Sequence, residues 1–170
     1  MSDRQVFWFA ARTRKDQEFA VRDALIKLNI EHYLPTQTVV RQLKYRKKKV
    51  EVPVIRNLIF VRATKDVACA LANEYGIRLF YMRDFVTHSM LIVPEKQMRD
   101  FMFVMDIDPN GTCLDNEVLE VGEKVRVVKG KFEGVEGELV SMANGLYVII
   151  RIPQVLSVSV RIPKSHLKKI

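Results

Sequence analysis

The run from Arg41 to Arg62, RQLKYRKKKVEVPVIRNLIFVR, constrains this chain more than any other because a highly charged stretch passes without a break into a highly apolar one. Arg41, Lys44, Arg46, Lys47, Lys48 and Lys49 stand together with no acidic residue among them, so their segment must stay in water or face an anion. From Val52 to Val61 the apolar residues are β-branched or aromatic apart from Leu58, and Pro53 and Asn57 interrupt the run. This predicts a strand with an irregular middle, anchoring a basic arm. The extended stretch through Val39 supplies the other side of the arm, which makes it a hairpin.

Charge narrows the partner class. The chain has a net charge of +8 and a pI near 9.6, and residues 1–105, 106–117 and 118–170 carry +8, −4 and +4. Two basic parts around an acidic waist suit a polyanion, nucleic acid before membrane, because no apolar run could span a bilayer and no segment pairs a basic face with a long apolar one. The start MSDRQVFWFAAR lacks the order of a signal peptide, so the protein is expected in the cytoplasm. Cys69 and Cys113 form no metal spacing with His32, His88 or His166, which predicts reduced thiols and no metal. With no nucleophile elbow and no Walker loop, neither an enzyme nor a cofactor is expected.

In chain order, VFWFAA at 6–11 reads as a buried strand, and Val21, Ala24, Leu25 and Leu28 at helical spacing predict a helix from Asp16 to about Asn29. Thr64 is a candidate N-cap for a second helix that stops at Gly76. Residues 77–82 and 90–93 read as strands, and Pro94 opens a third helix with Met98, Phe101, Met102 and Met105 on one face. The acidic waist, DIDPNGTCLDNE, matches a calcium loop at Asp106, Asp108, Asn110, Gly111 and Glu117. Pro109 inside the loop, and a strand pattern where an exit helix is needed, make it a linker instead. After Val118, glycines punctuate short alternating runs at 124–128, 137–142, 146–152 and 156–162, the rhythm of a small all-β barrel. Gly130, Gly134 and Gly137 are expected at turns with positive φ, and Phe132 between them could plug the barrel end.

The stretch GEKVRVVKGKFEGVEG at 122–137 resembles the KOW motif of NusG-type transcription elongation factors. Trp8-Phe9, the Asp16 to Leu28 helix and Ile55 to Val61 resemble their N-terminal domain, so the resemblance covers nearly the whole chain. Within that family the sequence is most similar to the UpxY type, antiterminators of capsular polysaccharide operons, through IRNLIFVRAT, VRVVKGKFEGVEG and RIPKSHLKKI. It departs from the family in having Arg56 before Asn57, where proline is common. The resemblance implies an α+β fold: an N-terminal antiparallel sheet flanked by helices over 1–105, an acidic linker at 106–117, and an SH3-like KOW barrel over 118–170. It further implies a monomeric antitermination factor whose apolar groove, formed by Ile55, Leu58, Phe60, Phe80 and Ile92, lies on the clamp of RNA polymerase. Arg41, Lys44, Tyr45, Arg46, Lys47, Lys48 and Lys49 would lean on the non-template strand or upstream duplex, and the barrel would dock a ribosomal protein or termination factor. The rival reading is a stand-alone KOW protein that binds RNA or the ribosome.

Overall fold

The computed structural model describes residues 5–108, 112–114, 122–143 and 145–170. The chain divides into two compact units, Met1–Val93 and Pro94–Ile170.

The first unit runs β1 (Val6–Arg12), α1 (Glu18–Lys27), β2 (Glu31–Tyr33), β3 (Thr36–Gln42), β4 (Lys47–Pro53), β5 (Leu58–Thr64), α2 (Lys65–Asn73), β6 (Phe80–Tyr81) and β7 (Ile92–Val93). β5 lies between β2 and β1, and both β6 and β7 pair along the far side of β1, all antiparallel. β1 and β5 hold the centre because their apolar runs are continuous, as strands covered on both faces require. Phe9 and Ala11 of β1 and Ile59, Val61 and Ala63 of β5 alternate onto the face that meets Val21 and Leu25 of α1 and Ala68 and Leu71 of α2. α2 starts where its sequence says it should: the Thr64 hydroxyl accepts from the Val67 amide at 3.3 Å. Gly76, at φ +66°, turns the chain back after that helix. β3 and β4 form a two-stranded sheet of their own, in register from Thr36 opposite Pro53 to Gln42 opposite Lys47.

The second unit comprises α3 (Glu95–Ile107), β8 (Thr112–Leu114), β9 (Glu123–Val127), β10 (Glu136–Met142), β11 (Gly145–Ile152), β12 (Leu156–Arg161) and β13 (Leu167–Lys169). The four expected runs are strands, but the barrel is not there. The sheet runs β13-β9-β10-β11-β12-β8, and among the described residues β13 pairs only with β9 and β8 only with β12. The edge of β12 that a closing strand would need is taken by β8, a strand drawn from the acidic waist. Glycine rhythm marks where strands turn, whereas closure depends on which strands meet at the two ends. α3 extends through Asp106 to Ile107, so the waist contributes helix and strand; residues 109–111 and 115–117, on which the linker and calcium-loop readings largely rest, lie outside the described residues.

α3 packs beside β11 and is tied to the β9–β10 region by buried Asp100. Its carboxylate accepts from Lys96 Nζ at 2.9 Å and from the Glu136 amide at 3.2 Å, and Lys96 also donates to the Gly134 carbonyl at 3.0 Å. Gly130 and Gly134 have φ of +83° and +95°, as expected of turn glycines. Gly137 is needed for another reason: it lies inside β10, where a Cβ would stand 2.4 Å from the Ile149 carbonyl oxygen of the neighbouring strand. Phe132 is buried in the turn, with Lys131 Nζ 5.2 Å from its ring centroid.

Candidate functional surfaces

The hairpin is built as its charges demand. Residues 43–46 close it, with the Leu43 amide donating to the Arg46 carbonyl at 2.7 Å. Every residue from Arg41 to Lys49 is exposed, and Tyr45 at the tip is 88% exposed, with Lys44 Nζ 5.5 Å from its ring centroid. Arg41 stands directly opposite Lys48, and Lys49 opposite Val40. Alternation therefore puts Arg41 and Lys48 on one side of the ribbon, and Lys47 and Lys49 on the other. Glu51, the one acidic residue of the hairpin, is occupied by Arg22 at 3.0 Å and by the Thr36 hydroxyl at 3.3 Å. Among the described residues, none of the six basic side chains has a carboxylate within ion-pair distance. The ribbon presents positive charge on both sides, and directly opposed like charges lower its own stability.

Register sorts the expected groove residues. Leu58 pairs with Arg12, Phe60 with Ala10, and Arg12 with Phe80. Directly paired residues share a face, so Leu58, Phe60 and Phe80 belong to one face, together with Trp8. Ile92 pairs with Phe9, which points into the helix-covered core, so Ile92 falls on the opposite face. Leu58 and Phe60 are buried, at 2% and 0% exposure, whereas Phe80 is 49% exposed with the Arg14 guanidinium 5.8 Å from its ring centroid. Ile55 is half-buried in the loop before β5.

That loop shows how the chain manages without the family proline. Arg56 is exposed, and Asn57 takes φ +59°, a conformation asparagine tolerates. Its amide donates to Glu18 Oε1 at 2.9 Å, and its carbonyl accepts from the Thr13 amide at 3.1 Å. Glu18 is buried at 3% exposure. Sequence reasoning missed it, because a glutamate at the start of a helix reads as a solvated charge and its partner amide is 39 positions away along the chain. On the helix-covered face, burial, with a contribution from Cys69, raises the Tyr81 phenol well above its ordinary range. In the second unit the Arg126 guanidinium, 2.7 Å from Glu136, holds that carboxyl below the usual range.

Residues 7–102 match the family model described as transcription termination factor nusG. The chain resembles the structure described as "Domain interaction in Thermotoga maritima NusG" at 18% identity over 98% of each chain, with a TM-score of 0.45. It also resembles the MjSpt4:Spt5 complex in conformation B, at 15% identity over 96% of each chain and a TM-score of 0.23. No curated protein matches the chain. Because the family match spans more than half of the sequence, the chain belongs to the NusG family of transcription elongation factors, which are non-catalytic scaffolds. Among the described residues no group of His, Cys, Asp and Glu could hold a metal ion, and no helix is long and apolar enough to cross a membrane.

Proposed function

We propose that this chain is an operon-restricted antitermination factor of the UpxY kind, which binds RNA polymerase through its N-terminal part and suppresses pausing by holding nucleic acid against it. The observation that carries the reading is the hairpin: six exposed basic residues without carboxylate partners among the described residues, on a ribbon set apart from the core. Arg41, Lys44, Arg46, Lys47, Lys48 and Lys49 contact phosphates of the non-template strand or upstream duplex, and Tyr45 offers a stacking face. The polymerase clamp is engaged by the face of Leu58, Phe60 and Phe80, with Ile55 beside it. Phe80 is the ready contact, whereas Leu58 and Phe60 require that face to be uncovered. Ile92 lies on the opposite face and contributes only from the edge.

The functional division we propose is 1–105, a linker at 106–117, and 118–170, which assigns α3 to the polymerase-binding part. The second part docks a ribosomal protein or termination factor, and the factor works as a cytoplasmic monomer. Bridging polymerase and nucleic acid favours the elongating state by differential affinity. The test is recovery of RNA polymerase with the tagged chain from nuclease-treated lysate, followed by read-through of a terminator in purified elongation complexes. Recovery of ribosomes without polymerase would instead support a stand-alone RNA-binding protein.

A further inference from the structure

At the edge of the first sheet the chain makes a long excursion. Tyr81 pairs with Ala11 and Ile92 with Phe9, so β1 advances past Ala10 alone while the edge strand spends residues 82–91. The Met82 amide still donates to the Ala10 carbonyl at 2.9 Å, and the base is closed by Leu91 N–H to the Met82 carbonyl at 2.8 Å and an Arg83–Met90 bridge. The tip beyond this base is held by hydrogen bonds. Asp84 Oδ1 accepts from the Val86 and Thr87 amides at 2.7 and 2.9 Å, and the Asp84 amide donates to the Ser89 carbonyl at 2.8 Å. The His88 amide donates to the Asp84 carbonyl at 2.9 Å, and Arg83 Nη1 donates to the His88 carbonyl at 3.3 Å. This scaffold presents two adjacent apolar side chains to water: Phe85 is 75% exposed and Val86 82% exposed.

A fixed loop that holds an aromatic and a β-branched side chain outward loses little entropy when the pair is buried by a partner. We propose that the Phe85–Val86 tip is a second anchor on RNA polymerase, entering an apolar socket with an acidic rim beside the clamp contact. The inference rests on the polymerase-binding reading above. Two observations choose this occupant. The excursion starts two residues after Phe80, the exposed member of the proposed clamp face, so the tip continues that surface along the same edge. The charged residues of 76–93 are Arg78, Arg83 and Asp84, two positive against one negative, so the segment carries a net positive charge complementary to an acidic rim. A protein socket fits better than nucleic acid, because Val86 has no flat face to stack on a base.

The test measures binding of the labelled full chain to purified RNA polymerase from the same organism, first without nucleic acid and then as an elongation complex. The variants are Phe85→Ser/Val86→Ser and Asp84→Ala. The double variant is expected to bind polymerase alone about 30-fold more weakly with an unchanged thermal midpoint, the loss of one interface anchor. Asp84→Ala keeps both apolar side chains but unlocks the tip, and is expected to weaken binding by about 3- to 10-fold, an effect that mere surface stickiness would not produce. Wild-type binding with the double variant within twofold of it would overturn the anchor while leaving the proposed function intact. So would a loss seen only when DNA and RNA are present, or a wild-type self-association that the double variant abolishes. Failure of the wild-type chain itself to bind polymerase would overturn the proposed function and the anchor together.

Discussion

Replacing Lys47, Lys48 and Lys49 by alanine tests whether the hairpin reads phosphates. All three are exposed, on a ribbon whose two sides are both positive, and among the described residues none is engaged by a carboxylate. If the six basic residues each neutralise one phosphate of a single strand, log K against log salt should have a slope of about −4, at about 0.7 per contact. The triple variant keeps three contacts, and its slope should fall to about −2. Between 50 and 200 mM salt the wild type would then lose about 250-fold in affinity and the variant about 16-fold. Unfolding of the ribbon is not expected to confuse the result, because Lys48→Ala removes the like-charge opposition with Arg41, which is unfavourable by up to about 1 kcal/mol. Fluorescence anisotropy with several labelled single strands gives the slopes, and the wild-type slope should not depend on base sequence. Equal slopes for wild type and triple variant would show that these lysines are solvated surface and that the tether lies elsewhere.

The two faces of the first sheet should respond differently. Phe60→Ala, at a fully buried ring, is expected to destabilise the fold by about 3–5 kcal/mol in chemical unfolding, whereas Phe80→Ala should leave stability within about 1 kcal/mol while weakening polymerase binding. Asp100→Ala leaves the Glu136 amide without its carboxylate acceptor and should cost about 1–3 kcal/mol by the same measurement. Gly137→Ala drives a methyl into the Ile149 carbonyl and should destabilise the second unit far more than the same change at an open strand position, read from its amide exchange. Glu136 has a lowered pKa in the folded chain, so its pairing with Arg126 stabilises above the ordinary carboxylate range and is lost as pH falls through the folded value. Glu136→Gln should flatten that acid limb of the stability profile.

Much of the first unit was legible because its strands announce themselves twice, in composition and in what bounds them. VFWFAA and LIFVRAT are apolar runs ended by charge, and they became the paired centre of the sheet. What periodicity could not supply was register. Ile92 and Phe80 look equivalent as apolar residues in short strands, yet one pairs with Phe9 and the other with Arg12, which sends them to opposite faces. Glu18 was missed for a related reason: its buried role depends on a backbone amide thirty-nine positions away, at Asn57. In the second unit, local turn chemistry gave the strands but not their closure, since the pairing of β8 with β12 is a long-range choice. The Phe85–Val86 tip escaped notice because it falls between the two runs read as strands, 77–82 and 90–93, and its outward presentation is set by hydrogen bonds around Asp84 that periodicity does not carry.

The separation of the hairpin from the main sheet explains how one chain can carry both an apolar centre and a dense positive charge. β3 and β4 form their own two-stranded sheet, and the Val54 amide donating to the Pro35 carbonyl at 2.9 Å closes the ribbon at its base. Like charges opposed on a central strand would have to be buried or would disrupt the ladder beside the core. On a ribbon that extends into solvent the same opposition is screened within about one Debye length, roughly 8 Å at physiological salt. Its cost stays local, and the core of Phe9, Leu25, Ile59 and Leu71 is untouched by it. The basic residues can therefore be selected for their anion, and exchanging them should change salt dependence without changing the stability of the core.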